Sequence, residues 1–153
     1  PHPDAIRPSP QLAWAGRHFV VNKLPGAARR AARGDFAYID ELLTRWAPDW
    51  SGPAREETLE RVRACFADPA NAEHAFAYYR DLSPRPDAAL APPLRVPGLI
   101  VADDTPYLAD GYQGTVDRFE PRAELVVLEG TGHWPHREDE SRFLEALLTF
   151  LDR

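Results

Sequence analysis

Two short apolar runs, "GLIVA" at 98 to 102 and "AELVVLE" at 123 to 129, are the strand-like segments of this 153-residue chain. Neither alternates apolar with polar residues, and "GLIVA" reads as a strand buried on both faces. Residues 107 to 119 between them can form a helix. The closing "EDESRFLEALLTFLDR" is amphipathic, with Phe143, Leu147, Phe150 and Leu151 on its inward side. Strand, helix, strand, helix predicts a parallel βαβ unit with a right-handed crossover. Two parallel strands alone leave open edges and too little surface for helices to cover. The pattern therefore predicts an α/β chain that needs additional strands from another segment or chain.

Upstream the period is helical. Gln11 to Leu24 carries Leu12, Trp14, Phe19, Val20 and Val21, and Pro25-Gly26 stops it. In "FAYIDELLTRW" Phe36, Ile39, Leu43 and Trp46 recur at helical spacing, with Asp35 placed as N-cap and Pro48 ending the run. Ser51 is placed to cap "PAREETLERVRACF", with Pro53 in its first turn and Leu59, Val62 and Phe66 on one face. A further helix is predicted from Pro69 to Leu82. "SPRPDAALAPPLRVP", residues 83 to 97, holds five prolines and reads as a connector. The predicted division is a helical region over 1–95, connector included, and a strand-bearing region over 96–153.

Charge and composition narrow the function classes. A net charge of -6 argues against a nucleic-acid partner, because phosphate binding needs clustered positive charge to displace counterions. Arg29, Arg30 and Arg33 read as a solvated helix face. The single cysteine, Cys65, can form no internal disulfide and reads as a small buried hydrophobe. No uncharged apolar run approaches the roughly 18 residues of a membrane span, and no signal peptide is visible. The expectation is a cytoplasmic protein with no membrane partner. The chain contains no methionine and begins "PHPDAIRPSP", which predicts an N-terminus processed or cut from something longer.

The chemistry-bearing stretch is "GTGHWPHRED", Gly130 to Asp139. Strand, glycine turn, His133 and then a helix places an imidazole at the carboxyl end of a parallel strand, where open α/β sheets put their sites. Pro135 keeps the following helix from absorbing it. Such a base needs a carboxylate on its other ring nitrogen, and Asp103 and Asp104 stand at the end of the preceding strand. A metal pair of His133 and His136 is disfavoured, since Pro135 breaks the regular helix such ligands use and no cysteine accompanies them. No metal or cofactor is expected.

These segments resemble the α/β-hydrolase superfamily, specifically its epoxide-hydrolase-like members. The family's late acid follows a strand of the form "VPTLVIAG" and its histidine lies in "GxGHxxHxE"; here the two read "VPGLIVADD" and "GTGHWPHRE", with 29 residues from Asp104 to His133. "PHP" at the start resembles the exit from the sheet into the helical cap. "LPG" at 24–26, "DFAYIDELLTRWAPDW" at 35–50 and "AYYR" at 77–80 resemble cap segments. The resemblance covers essentially the whole chain: a cap plus the last two parallel strands and helices of the fold.

It implies a hydrolase in which His133 activates water against a covalent ester and Asp104, or alternatively Asp103, orients it. Ring opening in the family uses two cap tyrosines as acids. Tyr79 falls on one position, and His18, seven residues before Pro25, on the other. Tyr78 and Trp134 are expected in a pocket or core, and His136 in support of the loop. The substrate implied is a small molecule. Lys23 stands where a glutamine is common, and "ADD" replaces the usual "AGxDD". The nucleophile elbow and the oxyanion-hole segment are absent from this sequence; "DWSG" at 49–52 has no strand before it. The resemblance therefore implies a partner, the N-terminal half of the hydrolase, in the same gene product or a separate chain. Two other readings stay open: a catalytically inactive hydrolase-derived binding module, and a serine esterase of the same fold.

Overall fold

The computed structural model describes residues 8–82 and 92–153. The opening "PHP" and most of the proline-rich connector lie outside the described residues. The chain divides into two units, one holding residues 10–82 and the other residues 92–153.

The first unit is helical. The helix expected over 11–24 is two helices, α1 (Pro10–Ala15) and α2 (Arg17–Lys23). Gly16 sits between them at φ -80°, ψ 0°. Glycine is about 1 kcal/mol less favourable than alanine inside a helix, so the chain bends where the penalty is concentrated. The bend decides which face of α2 turns inward. His18 and Asn22, one turn apart, are buried, while Trp14, Phe19, Val20 and Val21 stay exposed. Apolar content alone points to the opposite face.

Pro25-Gly26 stops α2 as expected, with Gly26 left-handed at φ 73°. The chain then re-enters a short helix, α3 (Ala27–Ala31), which periodicity did not predict. Its small residues let two backbones approach closely. Ala27, Ala28 and Ala31 pack with Ala72 and Phe76, flanked by Tyr38, Ile39, Phe66 and Tyr79. Helix α4 (Arg33–Trp46) opens on three left-handed residues, Gly34, Asp35 and Phe36. Asp35 consequently makes no capping bond. Its carbonyl accepts from Arg63 Nε at 3.1 Å, and its carboxylate pairs with the same guanidinium.

Helix α5 (Pro53–Phe66) has Pro53 in its first turn, but Gly52 rather than Ser51 occupies the cap. The entry needs φ 85° there, which glycine adopts without a Cβ clash. Cys65 is exposed, not buried, because α5 turns Leu59 inward and leaves position 65 on its outer side. Helix α6 (Pro69–Asp81) is capped by Asp68, whose carboxylate accepts from Ala70 N at 2.9 Å.

The second unit holds β1 (Leu99–Ala102) and β2 (Glu124–Val127), parallel and in register from Leu99↔Glu124 to Ala102↔Val127. A 3-10 turn over Pro106–Leu108 and helix α7 (Ala109–Val116) make the crossover. Gly98 opens β1 because the Phe119 ring lies where a Cβ would stand, 2.4 Å from that position. The short helix α8 (Pro135–Glu138) and α9 (Glu140–Leu151) close the chain. The expectation that "GLIVA" is buried on both faces fails: Leu99, Ile100 and Val101 are half-buried. Leu151, expected inward, is 65% exposed, as is Leu148 at 56%. Two strands present too narrow a sheet to cover one side of a twelve-residue helix.

Candidate active site

Because β1 and β2 are parallel, their carboxyl ends lie on the same side. Asp103 and Asp104 leave the end of β1. The turn after β2 carries Gly130, Thr131, Gly132 and His133.

Asp103 is 7% exposed and both of its oxygens are engaged: Oδ1 accepts from Thr105 N at 2.8 Å and Oδ2 from the Tyr112 hydroxyl at 3.1 Å. Burial first, then the Asp103 charge and the bond to it, push the Tyr112 phenol far above its ordinary value. Tyr112 is therefore a hydrogen-bond donor to Asp103 at neutral pH. Asp104 is exposed, and its Oδ2 accepts from Gly130 N at 3.1 Å, tying the end of β1 to the turn after β2. Gly130 is left-handed at φ 77°. That conformation costs an ordinary L-residue roughly 1–2 kcal/mol.

The turn is held from below as well. Glu138, on α8, accepts from Gly132 N at 2.6 Å through Oε2 and from Trp134 N at 2.7 Å through Oε1. One carboxylate thus clamps the amides on both sides of His133. Buried Thr131 adds a bond from its hydroxyl to the Leu128 carbonyl at 2.7 Å. The imidazole stands edge-on to Trp134, centroids 5.0 Å apart. His133 keeps an exposed face; desolvation of the rest of the ring lowers its pKa below 6.5, while the Asp103 and Glu138 charges pull the other way. A ring that is neutral at pH 7 and can be supported once protonated has the electrostatics of a general base. His136, on α8, lies against Phe143 of α9 with centroids 5.8 Å apart.

In the helical unit, His18 and Tyr79 come together edge-on with centroids 6.0 Å apart. Trp46 and Phe19 frame the imidazole at 4.6 and 4.2 Å. His18 Nδ1 lies 3.0 Å from the Ala15 carbonyl. A carbonyl only accepts, so Nδ1 carries hydrogen. Burial raises the Tyr79 phenol above its ordinary value. Tyr78, 64% exposed, stands edge-on to Tyr79 at 5.8 Å. Lys23, in the family's glutamine position, donates to the Leu82 carbonyl and ties α2 to the end of α6.

Sequence reasoning gave no role to three residues at these sites. Glu138 is the last letter of the quoted "GxGHxxHxE" string. Asn22 and Tyr38 join Tyr79: Tyr38 donates to Asn22 Oδ1 at 2.7 Å, and Asn22 is 1% exposed. The available signal was His18 and Asn22 at i and i+4, a polar pair on one face of the helix that carries Phe19, Val20 and Val21. Among the described residues no group of three or more His, Cys, Asp or Glu side chains could hold a metal ion. No helix among them is long and apolar enough to cross a membrane.

The fold so described is a partial α/β fold, a helical unit followed by a two-strand parallel βαβ unit, and it is similar to parts of larger solved structures. One such structure is a "putative epoxide hydrolase" from Klebsiella pneumoniae, with 17% identity and a TM-score of 0.72 over 96% of this chain and 53% of that one. A second solved structure of similar fold is Cfl2 from Burkholderia cenocepacia, with 20% identity and a TM-score of 0.73 over 95% of this chain and 51% of that one. The chain spans about half the length of each. No protein-family model matches the chain, and no curated protein matches it in sequence.

Proposed function

We propose that this chain supplies the cap and the histidine and acid of a nucleophile-His-Asp hydrolase of the α/β-hydrolase fold, epoxide-hydrolase-like in its chemistry. The observation that carries the reading is the strand-end arrangement: a histidine after β2 whose two flanking amides, Gly132 N and Trp134 N, are both held by Glu138, with the buried Asp103 carboxylate at the neighbouring end of β1 favouring the charged ring. The half-buried strands and exposed Leu148 and Leu151 support the companion reading that further strands, with the nucleophile and oxyanion hole, come from another segment.

In this reading a carboxylate on that segment attacks an epoxide carbon and the C–O bond breaks. The released oxygen takes a proton from Tyr79 or from protonated His18, leaving a hydroxyalkyl ester. His133 then removes a proton from water as the water oxygen attacks the ester carbonyl. Collapse of that intermediate expels the diol, whose leaving oxygen takes the proton of the new carboxyl group, restoring the carboxylate; the proton held by His133 returns through solvent to the ring-opening acid. We assign charge support of the imidazolium to Asp103, and to Asp104 the orienting of the turn through Gly130.

The test is His133→Ala in the protein that contains the nucleophile-bearing segment. Intact-mass measurement should find the enzyme heavier by one substrate after exposure to an epoxide. No adduct together with unchanged turnover would sink the base assignment. Tyr79→Phe should slow epoxide turnover while sparing ester hydrolysis. Equal loss on both substrates would favour the serine-esterase reading.

A further inference from the structure

The Asn22 carboxamide is the most deeply buried polar group among the described residues, and its hydrogen bonding is incomplete. It offers two lone pairs on Oδ1 and two hydrogens on Nδ2. Oδ1 takes the Tyr38 hydroxyl, but Nδ2 makes no hydrogen bond and is the only buried side-chain N or O among the described residues that lacks one. An orphan of this kind forfeits a hydrogen bond that water would have supplied, and calls for a reason. Tyr79 stands beside it. Tyr38 and Tyr79 flank the same Ala27, Ala28, Ala31, Ala72 and Phe76 core, and the amide is near enough to Tyr79 to oppose, in part, the rise that burial imposes on its phenol.

We propose that Asn22 is a positioning residue: its carboxamide bridges Tyr38 and Tyr79, Nδ2 donating to the Tyr79 oxygen, so that the Tyr79 hydrogen is turned outward toward a hydrogen-bond-accepting oxygen of the substrate. The reason is one of capacity. With Oδ1 engaged by Tyr38, a phenol oxygen that receives Nδ2–H has its own hydrogen left to give to a third group. A cavity of about 190 Å³ lined by Asn22, Tyr38, Val21, Ala27, Arg30 and Ala31 adjoins the carboxamide, so close packing does not lock the side chain on that side. The role of the Tyr79 hydrogen rests on the ring-opening reading above; the bridge itself does not.

Titration of Tyr79 in the intact chain tests the bridge without substrate. The groups acting on the two phenols besides Asn22 are His18 and Tyr78 at Tyr79, and Tyr79, Arg45 and Glu41 at Tyr38. Placing 3,5-difluorotyrosine at position 79 brings its ionisation into the range where the chain is folded, and ¹⁹F NMR follows it. Asn22→Leu should raise the midpoint by about one pH unit, since a donor that favours the phenolate is lost. If circular dichroism shows that variant unfolded, Asn22→Asp serves instead, and its carboxylate should raise the midpoint further. A midpoint unmoved in the folded variant overturns the proposal. Failure of the ring-opening reading shows separately, as Tyr79→Phe leaving epoxide turnover intact.

Discussion

Glu138 accepts the Trp134 amide hydrogen at 2.7 Å through one oxygen and, through the other, the Gly132 amide at 2.6 Å. His133 has little choice of backbone conformation while that carboxylate is in place. The backbone that carries the candidate base is thus held by a side chain five residues further on.

Glu138→Ala should cost about 2 kcal/mol, because two amides lose a charged acceptor in a half-buried turn. Glu138→Gln should recover part of this, since one amide oxygen can replace one carboxylate oxygen. Urea unfolding of the three proteins gives the comparison. Stability unchanged in Glu138→Ala would show that the clamp contributes nothing.

The His133 imidazole should titrate below 6.5, the ordinary value, because desolvation of its inner face outweighs the neighbouring carboxylates even though the residue is partly open to solvent. The sign for stability follows: the unfolded chain protonates first, so stability falls as pH drops from the unfolded value through the lower native one. Asp103→Asn should lower the midpoint further by removing a charge that favours imidazolium. Histidine Cε1 shifts followed by NMR measure both, and a wild-type midpoint at or above 6.5 contradicts the assignment.

Gly98→Ala places a methyl against the Phe119 ring, and overpacking of this kind costs about 1–3 kcal/mol. Phe119→Leu in the same chain should recover part of that loss. A double-mutant cycle from thermal melts reads the coupling, and additive effects would mean that the ring does not constrain position 98.

Asp139 caps α9, accepting from Arg142 N, Arg142 Nε and the Ser141 hydroxyl. Those bonds, the Arg142 backbone bond first, hold its carboxyl down at about 2. Its contribution is present above the unfolded value of 3.8 and is lost as pH falls through about 2. Asp139→Asn should flatten the acid limb of the stability curve in that window, with helical signal followed by circular dichroism. An unchanged acid limb would place the titrating group elsewhere.

Much of this architecture was legible in the residues. Continuous apolar runs announced β1 and β2, and a glycine turn before His133 announced a strand-end histidine. Pro53 and Pro69 marked two helix starts, since a proline in the first turn sacrifices no bond. Caps were read less well. Asp35 and Ser51 had the right chemistry for capping, but Gly34, Asp35 and Phe36 turn left-handed and Gly52 takes the second cap. Which way a chain enters a helix depends on what it is leaving, and composition does not encode that.

Local sequence by itself determined the elements with strong periodicity, the parallel pairing of the two strands, and the placing of Asp103, Asp104 and His133 at the same strand ends. Those outcomes follow from side-chain period and from the handedness of a βαβ crossover, both local or nearly local. Tertiary structure alone decided that α2 buries His18 and Asn22 instead of its apolar neighbours, that Tyr38 and Asn22 belong with Tyr79, and that Glu138 holds the His133 turn. A buried polar group is stable only when partners distant in sequence arrive to satisfy it. Asn22 could not be placed until Tyr38, sixteen residues later, was seen to reach it.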